Sequence, residues 1–521
     1  MPEGPTTVGG VVREQAWARG EHPLLVCDDD RLGYVEADRR SAALARGLLA
    51  LGAGRGTHVG ILEPNGSAFV VAMLAAARIG AVVIPFTTFA TARELREQLV
   101  DADVAILLSA KGYRSHDYVA RLAEVLDGDV TAGERLMRPG VPQLRHVVFD
   151  AERLCQAGES IDVALLQAAE DDVVGSDPLT IVYTSGSTSA PKGAVHTHAA
   201  LLTHQRNLDE IRGLTPADTL FCNSPFFWIG GLGFGLLATL VAGATLVCSN
   251  AVDAGRTLDL LEAERPTMTN GFAATIAHLA KHPSFNDRDL SSMRRGNLYP
   301  IMPPDARPAD PELRHNMLGM TEAGSTLLLS DDETDQPEQR RGSFGRPAPG
   351  FDTKIVDPDS DEPVGAGEPG ELCIRGPFVM QRYYRRSREE CFDRDGWFHT
   401  GDMVSADVDG FLYFLGRRTA MIKTAGANVS PVEVANAIGR LTGAVAHVIG
   451  LPDAERGQVV AAVIALADDQ PFDERALREG LARELSSYKI PRRILAIPAA
   501  DLPLLSSGKV DGRRLPGLFD A

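Results

Sequence analysis

Residues 183–193 read YTSGSTSAPKG, an apolar run that opens into a loop of small and hydroxyl-bearing residues and ends on one lysine. Glycine permits backbone N–H groups to turn toward a common point, and the hydroxyls and single ammonium of such a loop suit a phosphate. It is not a Walker A loop. Counting from Gly186, the second glycine is replaced by Pro191, and Gly193 follows Lys192 where Ser or Thr would stand. Lysine is rare in this chain: seven residues, at 111, 192, 281, 354, 423, 489 and 509, against 45 arginines. A lysine kept beside glycine marks a place for a compact point charge where a planar fork would not fit. Lys192, Lys423 in MIKTAGANVSP and Lys509 in PLLSSGKVDGRRL all meet that description. His196, His198 and His204 lack the i, i+4 spacing and the acidic or thiol partner of a zinc site, and fit a loop-to-helix junction.

The elements that must position these groups follow from hydrophobic pattern. Up to about residue 250, helical stretches such as RRSAALARGLLALG and SAFVVAMLAAARIG alternate with HVGIL, AVVIP, VAILLS, HVVFD, LTIVYTS and ATLVC. That alternation predicts parallel sheets covered by helices on both faces. From about 340 to 416 short strands and Gly/Pro turns (FDTKIVD, GELCIRG, GFLYFLG) predict a β-rich subdomain, and after GRR at 416–418 a segment of about 100 residues carries its own strands and helices. The apolar stretch 226–247 is interrupted by glycines and reads as buried core, not a membrane span. A net charge of −18 opposes a nucleic-acid partner, so an anionic ligand needs a local site. Six dispersed cysteines without a CxxC pair, and an N-terminus without a signal-peptide pattern, suit a reducing cytoplasm.

Five motifs in order, YTSGSTSAPKGAVHTH (183–198), LGMTEAG (318–324), GWFHTGD (396–402), GRRTAMIKTAGANVSPVEV (416–434) and SSGKVDGRR (506–514), resemble those of the ANL superfamily of adenylate-forming enzymes. The resemblance covers nearly the whole chain. It implies an α/β fold with a large N-terminal domain (1–416) of two α/β sheet subdomains plus a small β-barrel-like subdomain at about 340–416. A small mobile α+β C-terminal domain (417–521) with the catalytic lysine would follow. It implies ATP, Mg²⁺ and CoA as cofactors, a small-molecule carboxylic acid as partner, and is compatible with a homodimer. Thr184, Ser185, Gly186, Ser187, Thr188 and Lys192 would hold the β- and γ-phosphates, Thr321 the α-phosphate, and Glu322 the metal. Asp402 would accept the ribose hydroxyls, with Arg417 reaching ribose or phosphate. Lys509 would stabilise charge growing on the α-phosphate during adenylation, and Lys423 and Gly426 would serve thiol attack after the small domain turns.

The segment NSPFFWIGGLGFG (223–235) matches the family's acyl-pocket motif, so Phe226, Phe227, Trp228 and Gly231 are expected around an apolar or aromatic acid. No acidic residue lies in this segment, which disfavours an amino acid substrate. Leu318 stands where the family has an adenine-stacking aromatic, and Asn297, Leu298 and Tyr299 replace its Gly-Gly-Ala-Pro stretch, reshaping the pocket. Thr419 and Ser189 depart from the usual hinge and loop residues. The resemblance thus implies an AMP-forming acid–CoA ligase for a fatty, alicyclic or aryl acid. Three alternatives stand beside it: adenylation of another oxyanion such as nitrite with transfer to an aryl amine, acyl transfer to a carrier protein or amine, and a non-catalytic nucleotide-binding homologue.

Overall fold

The Leu/Ala periodicity at 39–52 becomes the helix Tyr34–Ala50, and SAFVVAMLAAAR becomes Ser67–Arg78. The second is apolar on every side, and all its residues but Ala68 are buried, as such a helix requires. These helices and their strands belong to a computed structural model that describes residues 4–131, 133–184, 192–271, 273–424, 427–453, 457–467, 470–485, 489–505 and 509–520. The chain divides into two units: residues 1–341, 345–351 and 376–392 form one, and 342–344, 352–375 and 393–521 the other.

In the first unit, strands Val82–Pro85, His58–Leu62, Ile106–Ser109 and His146–Val148 are parallel, with Pro178–Tyr183 parallel at one side, as the alternating pattern predicts. The sheet then changes sense. Gly193–Thr197 returns antiparallel on Pro178–Tyr183, and Arg382–Tyr383 adds antiparallel to Gly193–Thr197. The glycine-rich loop is therefore the connection of a hairpin and not the strand-to-helix turn of a P-loop. Gly193 is required there, since a Cβ would lie 2.5 Å from Ile181 Cγ2. A second sheet runs Arg295–Gly296, Met268–Asn270, Thr219–Cys222, Thr245–Cys248 and Pro23–Cys27 in parallel, with Asp30–Gly33 antiparallel at its edge. A large apolar core, with Tyr34, Leu44, Phe69, Leu74 and Leu236 among its members, packs around the helices.

In the second unit, Asp352–Val356, Gly370–Arg375, Phe398–Ala406 and Leu412–Arg417 make a four-stranded antiparallel sheet. This corrects the barrel-like expectation for 340–416: among the described residues the sheet is open, and its edge strands do not pair with each other. Four strands give too small a circumference to close around a side-chain core. Residues 422–498 carry a separate core of Ile422, Val434, Ile438, Val460, Ile464, Leu477 and Leu481. The helix Pro431–Thr442 has Ser430 as its N-cap, accepting from the Glu433 N–H, proline in its first turn, and left-handed Gly443 at its end.

The apolar segment 226–247 folds as a π-helical turn Gly230–Leu237, a short helix Ala238–Ala242 and the strand Thr245–Cys248. No helix among the described residues is long and apolar enough to cross a membrane. The wide turn brings Gly231 against the preceding backbone, where a Cβ would lie 2.1 Å from the Pro225 carbonyl oxygen. Backbone cannot yield as a side chain does, so Gly231→Ala should lower unfolding free energy by at least about 2 kcal/mol. Urea denaturation measures this directly; an unchanged midpoint would show that the turn relaxes freely.

Candidate active site

The hairpin that carries the phosphate-loop motif is tied at its base by the Thr184 N–H donating to the Lys192 carbonyl at 2.9 Å. Ser185, Gly186, Ser187 and Thr188 lie outside the described residues, as do Ser189 and Gly426 and the side chains of Thr419 and Lys423. Lys192 is partly buried, and its Nζ sits 5.2 Å from the centroid of the Tyr383 ring, within cation–π range.

The Thr-Glu motif follows the short strand Leu318–Met320 as a tight turn Thr321–Ala323, closed by left-handed Gly324 with φ +71°. It is held from several sides. His196, on the strand after the phosphate loop, donates from Nε2 to the Thr321 carbonyl at 2.7 Å. The Met380 N–H donates to the Glu322 carbonyl at 2.7 Å. On the helix His198–Arg212, Gln205 Nε2 donates to Ser325 Oγ at 3.1 Å and His204 Nε2 to the Thr326 carbonyl at 2.9 Å. The histidines are thus struts between the two motifs, with rings fully buried.

The Glu322 side chain accepts a hydrogen bond at Oε1 from the Tyr383 hydroxyl, 2.6 Å away. Burial, and then the carboxylate beside it, push the Tyr383 phenol above its ordinary range, so it remains a donor. Oε2 is not engaged by that bond. A carboxylate oxygen at this turn is the donor type a hard divalent cation takes, so Glu322 fits the Mg²⁺ that the family uses.

In the second unit, Asp402 and Arg417 are directly opposite on paired strands, with Arg417 Nε 2.6 Å from Asp402 Oδ1. Arg417 Nη1 also donates to the Thr400 carbonyl at 3.1 Å. Asp402 is buried while the Arg417 side chain is 55% exposed, so the guanidinium offers its outer edge to solvent and the carboxylate is fixed behind it. Glu371 supports this strand by accepting the Gly401 N–H at 2.8 Å, where Gly401 has φ +73°. Lys509 is exposed, and its carbonyl accepts the Leu505 N–H at 2.7 Å, closing the loop that presents it.

The acyl-motif aromatics separate by depth. Phe226 is fully buried and packs on Phe69, ring centroids 5.4 Å apart, as part of the main core. Phe227 is nearly so, edge-on to Phe89 and to Trp228, and Trp228 alone of the three retains substantial surface. Leu298 is likewise buried in the core under the second sheet. Asn297 and Tyr299 do line a cavity of about 80 Å³, together with Phe234, Met268, Asn270, Arg314, His315 and Met317. Asn297 clamps the neighbouring loop, accepting the Gly271 N–H at 3.1 Å and donating to its carbonyl at 2.8 Å. Gly296, with φ +126°, has the Thr269 carbonyl oxygen 2.0 Å from where a Cβ would be. Leu318, partly buried, pairs with Leu328. Sequence spacing does not point to Tyr383 or the histidine struts as site residues: RYY carries no motif, and strut geometry leaves no spacing signal.

A phosphate-loop hairpin braced against a Thr-Glu turn, followed by an Asp-Arg pair and a lysine-bearing loop, defines the adenylate-forming class of fold. The chain belongs to the AMP-binding enzyme family: the AMP-binding enzyme model matches residues 12–384, and the AMP-binding enzyme C-terminal domain model 433–509. It is 34% identical over 491 residues to a feruloyl-CoA synthase from Amycolatopsis sp., covering 92% of each chain. It is 29% identical to an indoleacetate–CoA ligase from Aromatoleum aromaticum, covering 92% of this chain and 91% of that one. The crystal structure of ATP-bound MatB from Rhodopseudomonas palustris superposes with a TM-score of 0.82 at 25% identity, over 99% of both chains. The protein is an ATP-dependent, AMP-forming acid–CoA ligase that uses ATP, Mg²⁺ and CoA.

Burial holds the imidazoles of His196, His198 and His204 down at about 4. Unfolded histidine binds protons at about 6.5, so between there and pH 4 the unfolded chain takes up more protons than the folded one. Stability therefore falls as pH drops through that window, by up to about 3 kcal/mol per histidine at pH 4. Melting temperature should decline steadily from pH 7 to pH 5. His196→Gln, which retains a donor for the Thr321 carbonyl but no titrating group, should flatten that decline; an unchanged slope would contradict the assignment.

Proposed function

We propose that this ligase activates an aryl carboxylic acid: the acid oxygen displaces pyrophosphate from the α-phosphate of ATP, and the acyl-adenylate is then captured by CoA thiol. The observation that carries the choice of acid is the cavity beside the Thr-Glu strand, walled by Phe234, Met268, Tyr299 and Met317 with amide and guanidinium groups and the carboxylates of Asp332 and Glu333 among them. At about 80 Å³ it is smaller than the ~150 Å³ that takes a benzene ring, so a substrate ring must displace side chains, and the flexible thioethers of Met268 and Met317 are the ones that adapt. A long alkyl chain would need several such displacements. The feruloyl and indoleacetate activities named for two relatives also involve ring-bearing acids.

For the chemistry, Lys192 and the hydroxyl-rich loop hold the departing phosphates, and Thr321 lies where the α-phosphate is gripped. Mg²⁺ held by Glu322 neutralises phosphate charge when bound. Asp402 accepts the ribose hydroxyls and Arg417 reaches ribose or phosphate. Lys509 approaches the α-phosphate for adenylation; on the scale of an oxyanion-hole donor its loss costs roughly 3–4 kcal/mol. The working division is a domain 1–416 and a mobile domain 417–521, whose boundary falls in the interval between the two matched family models. Rotation of the second about its hinge withdraws Lys509 and presents the face carrying Lys423 and Gly426 for thiol attack.

Two outcomes test this reading. Pyrophosphate release should be fastest with aryl acids and should fall at least about tenfold for saturated acids of eight or more carbons; equal rates would remove the aryl assignment. Lys509→Ala should lower adenylate formation about 100-fold or more yet leave thioester formation from supplied acyl-AMP within about twofold. Equal loss in both steps would contradict the alternating faces.

A further inference from the structure

Tyr383 is 61 residues from Glu322 and belongs to no motif, yet it lies between the two groups assigned to the triphosphate. Its strand pairs with the one that leaves the phosphate loop, Ala194 opposite Tyr383 and Val195 opposite Arg382, so the ring is placed by backbone and not by a flexible loop. The Tyr383 N–H is itself anchored on Cys391 Sγ at 3.3 Å. From this fixed position the hydroxyl donates to Glu322 Oε1 at 2.6 Å while the ring face receives the Lys192 ammonium at 5.2 Å. Tyr383 is 8% exposed while Lys192 and Glu322 are partly buried, so both contacts are shielded from water on the tyrosine side, which strengthens each.

We propose that Tyr383 is a positioning residue for the first half-reaction: it fixes the Glu322 carboxylate so that its second oxygen faces the metal, and it sets the height of the Lys192 ammonium over the phosphate site. This rests on Glu322 as metal ligand and Lys192 as phosphate ligand, proposed above. When the hydroxyl is removed, the Glu322 carboxylate loses the contact that selects its rotamer; a hydrogen bond to a charged acceptor is strong enough to hold one rotamer against the others, so orientation is what the substitution costs.

The experiment compares equilibrium ATP affinity with Mg²⁺ and with EDTA, by titration calorimetry in the absence of acid; the ratio is the metal's enhancement of nucleotide binding. Tyr383→Phe keeps the ring, so metal-free ATP affinity should stay within about twofold of wild type, while the enhancement should fall about five- to tenfold. Tyr383→Leu should in addition weaken metal-free binding about two- to fivefold, the range of an exposed to partly buried cation–π contact. Glu322→Gln separates the two levels of claim. If Glu322→Gln leaves the enhancement intact, the metal assignment fails; if it abolishes the enhancement while Tyr383→Phe leaves it at the wild-type value or raises it, the positioning role is overturned. Tyr383→Phe changes one atom at a site that tolerates the ring, so the comparison does not depend on whether the leucine variant folds.

Discussion

The candidate site depends on one edge of one sheet, where Pro178–Tyr183, Gly193–Thr197 and Arg382–Tyr383 lie side by side in antiparallel pairing. An antiparallel ladder fixes register to the residue, and a slip of one position would turn every side chain to the other face. Here register places Lys192 at the mouth of the hairpin, His196 against the Thr321 carbonyl, and Tyr383 against Glu322. A hairpin and a strand far along the sequence from it meet by backbone pairing, and the Thr-Glu turn is held against both. No covalent nucleophile is needed for a carboxylate to displace pyrophosphate, so what the protein contributes is charge held still around an in-line displacement.

Buried histidine serves this architecture because imidazole carries a directional donor on a compact apolar body. His196 and His204 each use Nε2 to donate to a backbone carbonyl in the Thr-Glu region, and the Thr321 carbonyl accepts the Gly324 N–H as well. His204 is also stacked on Phe378, ring centroids 5.1 Å apart, so the strut is packed as well as bonded. The cost is acid sensitivity. In the second unit the equivalent task falls to a buried carboxylate, Glu371, which holds the strand at Gly401 beside the Asp402–Arg417 pair.

Much of this was legible in the amino-acid order because local pattern and tertiary demand agree. Alternating apolar runs gave the parallel strands and their covering helices, and the Ser-Pro start and Gly end of Pro431–Thr442 mark that helix without ambiguity. Legibility failed where only three-dimensional neighbours decide. The sequence does not reveal that the strands on either side of the glycine-rich loop pair antiparallel, since a strand after it and a helix after it begin with similar β-branched and small residues. It does not distinguish Phe226 and Leu298, buried in core, from Trp228 and Tyr299, which retain surface, because depth is set by distant partners such as Phe69. The strand pattern implies only a β-rich subdomain there, and the barrel-like closure that the family resemblance implies is not found: its four strands stay open. Tyr383 was invisible for the same reason: its partners are brought to it by strand pairing and not by spacing.

Charge held in this way suits attack of a carboxylate oxygen on the α-phosphorus of ATP. Turnover of an aryl acid labelled with ¹⁸O in its carboxylate, with mass spectrometry of the nucleotide product, tests it most directly. One ¹⁸O atom should appear in AMP and none in pyrophosphate; unlabelled AMP, or label in inorganic phosphate accompanied by ADP, would contradict it.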